Sequence, residues 1–214
     1  MTGSTPATPL RLRLALVGPP GSGKGTQSRL LAERFDLEPV STGQLLRDLA
    51  TRHTPVARVV RGLLDAGRLV PNRIVLDVVR RRLTGLEEHG RGWIMDGFPR
   101  TTPQARAFDA MLQDRALDAV IQLHVPPDVV AARLAERGRH DDEHASIDRR
   151  MRAYRRETLP MIERMERGGS VLRVDGDQSI EQVHEVIAAQ LRLLDKVPGG
   201  RGATWGDDDY QLAP

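Results

Sequence analysis

The chain has 214 residues, 39% hydrophobic and 29% charged, and its 32 basic and 29 acidic side chains leave a formal net charge of +3. That length suits one α/β domain with a sizeable core and excludes a multidomain assembly. The isoelectric point near 9.9 reflects the high pKa of arginine, and three Phe, two Tyr and two Trp are too few for a base-stacking platform, so no nucleic-acid partner is expected. The lack of cysteine excludes a disulfide framework and a thiolate metal centre. No apolar run reaches membrane-spanning length, and the run at 14–17 is too short for a signal peptide, so a soluble cytoplasmic protein with no membrane partner is expected.

In chain order, residues 1–9 are rich in Thr, Pro, Gly and Ser and read as an unstructured leader. A strand at 11–17 feeds a glycine-rich loop. A helix at 26–35 follows, with Leu30, Leu31 and Phe35 on one face and Gln27, Arg29, Glu33 and Arg34 turned to water. Pro39-Val40-Ser41 reads as a short second strand. Residues 42–83 read as three helices punctuated by Pro55 and by 67–71, a small helical insertion. The apolar runs 93–95 and 120–125 suit buried parallel strands, with helices after them at 102–114 and 127–137. Residues 144–167 are helical in pattern with a bend at Pro160, 171–174 is the last strand, and 179–194 the final helix. The tail at 195–214 is expected to be disordered. Alternating strands and helices imply a parallel sheet covered on both faces.

Chemistry concentrates in Gly18-Pro19-Pro20-Gly21-Ser22-Gly23-Lys24-Gly25-Thr26. Of the 32 basic residues only Lys24 and Lys196 are lysine. Glycine-rich backbone presents several N–H groups to a polyphosphate, and a slim ammonium reaches between oxygens where a planar guanidinium is too wide. The loop reads as a nucleoside-triphosphate cradle. It departs from the strict G-x-x-x-x-G-K-[ST] form, because Gly25 follows the lysine and Thr26 comes one place later.

Four further segments join the loop: Ser41-Thr42-Gly43-Gln44-Leu45-Leu46-Arg47, Asp65-Ala66-Gly67-Arg68-Leu69-Val70-Pro71, Asp96-Gly97-Phe98-Pro99-Arg100-Thr101-Thr102-Pro103-Gln104, and the arginine-rich run 133–150. Together they resemble the adenylate kinase family in its short-lid form, from about residue 11 to 194. The resemblance implies a P-loop NTPase-type α/β fold, a parallel sheet flanked by helices with a small helical monophosphate-binding insertion and a short lid loop. The catalytic domain would span 10–194, with core segments 10–41, 73–137 and 144–194, the insertion at about 42–72 and the lid at about 138–143. The implied reaction is reversible, magnesium-dependent transfer of the ATP γ-phosphoryl group to AMP, giving two ADP, by a monomer. Alternatives are a kinase for another nucleoside monophosphate and a low-turnover nucleotide-binding regulator.

By the same resemblance, Gly21, Ser22, Gly23, Lys24, Gly25 and Thr26 hold the ATP phosphates, Arg133 and Arg137 face ATP, and Gln178 lies where the family touches the ATP base. Arg47 and Arg100 grip the acceptor phosphate while Arg139 and Arg150 approach it from the opposite side. Lys24, Arg100, Arg137, Arg139 and Arg150 are the catalytic set. Thr42, Arg68, Leu69 and Val70 line the acceptor pocket with Gly97, Phe98 and Pro99, and Gln104 reads adenine. As residues alone, Gln104 could instead be an exposed side chain in a helix's first turn, and Asp96 either an N-cap or, as the resemblance implies, a magnesium residue acting through water. Asp141 and Asp142 either hold the lid arginines or are exposed loop charges. Gln44 stands where the family is usually acidic. Only Gly138 separates Arg137 from Arg139, so no zinc lid is expected. Gly67 and Gly138 are the candidate hinges.

Overall fold

The computed structural model describes residues 12–112, 116–137, 144–167 and 171–194. The expected leader, lid, hinge Gly138 and tail lie outside the described residues. Five parallel strands, β1 (Arg13–Val17), β2 (Glu38–Ser41), β3 (Trp93–Asp96), β4 (Ala119–His124) and β5 (Val171–Asp175), form one sheet in the order β2-β3-β1-β4-β5.

Strand alternation divides the core. Ala15, Val17, Trp93, Met95 and Val120 face one layer, which is filled by helices α2 (Thr42–Ala50), α3 (Pro55–Asp65), α4 (Asn72–Glu88) and α5 (Thr102–Leu112). Leu14, Leu16, Ile94, Ile121 and Leu123 face the other, under α1 (Lys24–Phe35) and α9 (Ile180–Leu194). Both faces are therefore covered, which is why the strands read as apolar runs instead of alternating ones. Helix α6 (Pro127–Arg137) follows β4, and α7 (His144–Ala153) continues into α8 (Leu159–Arg167).

The element order agrees with the sequence-based expectation, with three differences of detail. Gln27 is 3% exposed, not turned to water, because α9 closes over that side of α1 and the Gln27 Nε2 donates to the Ile180 carbonyl at 2.9 Å. The third helix of the insertion region runs on to Glu88, where Leu86 still reaches the core. The irregularity expected at Pro160 begins earlier, as a π-helical turn over Tyr154–Thr158. Such turns add a residue to one helical winding and re-aim the side chains they carry.

Helix starts follow local rules. The Ser41 hydroxyl accepts from the Gln44 N–H and the Thr54 hydroxyl from the Ala57 N–H, the latter with Pro55 at the first helical position. Helix α1 has no side-chain cap, and its N-cap is Gly23 at φ 89°. That left-handed conformation is strained for any L side chain, so glycine is required although a Cβ there would meet nothing within 4 Å.

Candidate functional site

A cleft of about 1290 Å³ opens along the carboxyl ends of the strands. In parallel sheets ligands gather where connections leave adjacent strands in opposite directions. Here β1 leads toward β2 on one side of the sheet and β4 toward β5 on the other. The glycine loop lies at that point, so close to β4 that a Cβ on Gly18 would come within 2.7 Å of the Leu123 carbonyl.

The lobe in which the resemblance leads one to expect the donor, called the donor lobe below, is built on this loop. Lys24 Nζ donates to the Gly18 and Pro19 carbonyls at 3.0 and 2.7 Å and lies 3.2 Å from Ser22 Oγ. The ammonium is thus folded across a loop that already orients it. The first-turn N–H groups of α1 have no side-chain cap, which leaves them for an anion favoured by the helix dipole. Gly21, Ser22, Gly23, Gly25 and Thr26 all line the cleft with Lys24. Arg133, on α6, also lines it and donates to the Gly176 carbonyl at 2.9 Å. Gln178 is an exposed lining residue whose Nε2 donates to Asp175 Oδ2 at 3.3 Å. That bond helps hold the Asp175 carboxyl below its usual range, behind the larger effect of the Asp177 backbone N–H.

Asp96 closes β3 between the two lobes. Its carboxylate accepts from Ser41 Oγ at 3.4 Å, and a Cβ on Gly25 would sit 3.6 Å from Oδ2. The carboxylate therefore flanks the start of α1. It caps no helix, since the next one begins at Thr102.

The lobe in which the acceptor is expected, called the acceptor lobe below, draws on several separate segments. From α2 come Thr42, whose hydroxyl donates to the Asp96 carbonyl at 2.9 Å, and Arg47. Arg47 Nη2 and Nε donate to Gln44 Oε1 at 2.9 and 3.3 Å, and Gln44 Nε2 donates to Asp48 at 2.7 Å. Gln44 is thus a neutral bridge between Arg47 and Asp48. From 67–70 come Gly67, Arg68, Leu69 and Val70. From the β3–α5 connection come Gly97, Pro99 and Arg100, and from the first turn of α5 comes Gln104. Arg150 of α7 lines the same cleft.

Gln104 is 2% exposed, which excludes the open helix-turn alternative. Its Oε1 accepts from the Arg100 N–H at 2.8 Å and its Nε2 donates to Asn72 Oδ1 at 2.9 Å. Arg100 itself is exposed, with Nε donating to the Gly97 carbonyl at 2.7 Å.

Phe98 does not line the cleft. It is fully buried, edge-on to Phe108 at a centroid separation of 5.0 Å, and Phe108 packs in turn on Trp93 at 6.0 Å. Such pairs contribute about 0.5–1.5 kcal/mol beyond their area, so Phe98 anchors the turn that carries Arg100 instead of meeting a ligand. Arg139, Asp141, Asp142 and the side chain of Arg137 lie outside the described residues.

Three contacts in this lobe went unread in the sequence. Thr158, brought round by the π-helical turn and 6% exposed, donates to the Arg100 carbonyl at 2.8 Å. Arg149 Nε donates to the Ala66 carbonyl at the end of α3 at 2.6 Å. Gly67, at φ 62°, packs so tightly on α7 that a Cβ would meet Ser146 Oγ at 2.6 Å. Only the glycine carried a signal.

A glycine loop with its single lysine at the switch point of a parallel sheet, joined by one cleft to an arginine-lined pocket under a helical insertion, is the architecture of a P-loop phosphotransferase. A family model described as adenylate kinase matches residues 16–170. An adenylate kinase of Corynebacterium urealyticum is 40% identical over 187 residues, covering 86% of this chain and 100% of that protein. Adenylate kinase 1 of a Nostoc species is 40% identical over 181 residues, with 84% and 98% covered. One from Rhizobium meliloti is 38% identical over 195 residues, with 86% and 100% covered. The chain belongs to the adenylate kinase family.

Proposed function

We propose that this chain transfers the γ-phosphoryl group of ATP to AMP, giving two ADP, with the donor on the glycine loop and the acceptor in the lobe around Arg47, Arg100 and Gln104. The observation that carries the reading is the single cleft that holds both Lys24 and Gln104. An oxygen of the acceptor phosphate attacks the γ-phosphorus in line, and the bond from that phosphorus to the bridging oxygen breaks, leaving its electron pair on the departing diphosphate. No covalent nucleophile is needed. The work lies in positioning and in neutralising charge on the transferring group.

Lys24, released from the Gly18 and Pro19 carbonyls by a better acceptor, follows that charge, while the N–H groups at the uncapped start of α1 hold the donor phosphates. Arg47 and Arg100 fix the acceptor phosphate, Arg139 and Arg150 close on it from the far side, and Arg133 and Arg137 face the donor. Water must be excluded or ATP is hydrolysed, a task for closure of 138–143 and of the insertion 42–72.

Magnesium fits this site as an ion carried by the nucleotide. Among the described residues no group of three or more His, Asp or Glu could hold a metal, so phosphate oxygens and water supply most ligands, with Asp96 acting through water. When bound, the ion offsets negative charge on the donor phosphates. Closure within one chain completes both lobes, which supports a monomer. Among the described residues no helix is long and apolar enough to cross a membrane, and a reaction that interconverts ATP, AMP and ADP supports a cytoplasmic enzyme.

The test is ADP formation from magnesium-ATP with AMP, CMP, UMP or GMP, using Lys24→Ala as the contamination control. AMP-dependent turnover that disappears in the variant is expected. Turnover with another acceptor would overturn the pocket assignment, and tight binding without turnover would overturn the enzyme.

A further inference from the structure

Asn72 opens α4 at the edge of the acceptor lobe and is half-buried. It does not cap its helix, whose N-cap is Pro71 with no side-chain bond. Its Oδ1 instead accepts from Gln104 Nε2 at 2.9 Å, a contact between residues 32 apart in sequence. The opposite end of the same amide accepts from the Arg100 N–H at 2.8 Å. With Gln104 buried, water is a poor substitute for either partner.

A primary amide has two N–H donors and two acceptor lone pairs. Asn72 and Arg100 take one of each, which leaves one donor and one acceptor for the cleft that Gln104 lines. Their order decides which base is read. Adenine offers a ring-nitrogen acceptor beside an exocyclic amino donor, whereas hypoxanthine offers the reverse, a ring N–H beside a carbonyl. A half-turn of the amide exchanges the two readings. That half-turn would set Oε1 against Asn72 Oδ1, two acceptors, and the amino group against the Arg100 N–H, two donors. Each buried hydrogen bond left unmade biases the orientation by about tenfold.

We infer that Asn72 is a specificity-determining positioning residue, whose Oδ1 holds the Gln104 amide in the order that reads adenine and rejects hypoxanthine. The inference rests on the proposed acceptor site. The backbone N–H of Arg100 cannot change from donor to acceptor, so it fixes one end of the amide, and Asn72 holds the other as long as its own amide keeps Oδ1 toward Gln104. The Asn72 contact also joins α4 to the start of α5, so base reading is set by elements that share no local sequence.

The experiment compares wild type, Asn72→Leu and Asn72→Asp in steady state, with AMP and inosine monophosphate as acceptors. In Asn72→Leu the ratio of kcat/KM for AMP to that for inosine monophosphate should fall about tenfold, chiefly through a gain with inosine monophosphate, while the KM for ATP stays unchanged. Asn72→Asp keeps the acceptor oxygen and should keep the wild-type ratio. A melting curve monitors folding, and Asn72→Ala, which adds no bulk, carries the same expectation as the leucine. An unchanged ratio in the leucine and alanine variants, or the same loss in the aspartate variant, overturns the inference. No AMP turnover in wild type overturns the proposed acceptor site itself, a different result from AMP turnover with an unmoved ratio.

Discussion

The two lobes of the cleft are built in opposite ways. The phosphate cradle of the donor lobe is local: nine consecutive residues, 18–26, supply the loop, the lysine and the uncapped start of α1, and Lys24 donates to carbonyls five and six positions away, although Arg133 and Gln178 reach the same lobe from later in the chain. The acceptor lobe is assembled over long range. Arg100 is held through Gln104 at its N–H and through Thr158 at its carbonyl, 58 residues away, and Gln104 reaches Asn72. A local cradle depends on backbone conformation and one charge. A non-local pocket depends on several helices keeping their relative positions, so small losses elsewhere in the fold should appear in the kinetics of one nucleotide and not the other.

The largest expected effect is in the donor lobe. Lys24→Ala should lower kcat on the order of 10²–10³-fold, because it removes a positioned charge from the transferring group, with melting temperature little changed. Comparable turnover in variant and wild type would mean that the loop is only structural. Gly67→Ala probes the packing of the insertion on α7. Its left-handed conformation and the Ser146 clash should cost roughly 1–3 kcal/mol in denaturant unfolding and raise the KM for AMP more than that for ATP. Equal changes in both KM values would contradict the separation of the lobes.

Thr158→Val should do less. It removes the donor to the Arg100 carbonyl with little change in volume, so kcat/KM for AMP should fall about five- to tenfold while the KM for ATP holds. Thr158→Ser, which keeps the hydroxyl, should recover most of the loss.

The smallest effect is far from the cleft. Arg34 of α1 pairs with Glu185 of α9 at 2.6 Å, and its hydrogen bond holds the Glu185 carboxyl below the ordinary value of 4.5. A lowered folded pKa means that the unfolded chain binds more protons, so the pair stabilises the fold above that ordinary value and stops doing so as pH falls through the folded one. Glu185→Gln should therefore lower the melting temperature slightly at neutral pH, and the gap should close in acid, with no kinetic change at either lobe. The exposed setting of the pair keeps the effect small.

The same contrast explains what the sequence disclosed. The succession of strands and helices along the chain and the glycine-loop cradle follow from apolar runs, proline and glycine punctuation and one lysine, all of them short-range signals. Gln104, Arg100 and Arg47 were legible through their motifs, but their partners were not. Nothing in the surroundings of Asn72 or Thr158 sets them apart, since each matters only through a residue brought near by the fold. Gln27 was misplaced for a related reason: helical periodicity marks the face turned to the sheet but not a second face covered by α9. The place of Phe98 in a recognisable motif suggested ligand contact, whereas its packing on Phe108 shows that a motif also records what supports a turn.

The most direct test of the two-lobe account is a crystal structure with a bisubstrate analogue in which a polyphosphate joins two adenosines. The account predicts the polyphosphate running from the N–H groups of 21–26 to Arg47 and Arg100, with one adenine at Gln104 and the other near Gln178. An acceptor adenine lodged away from Gln104, or a polyphosphate that bypasses the glycine loop, would contradict it.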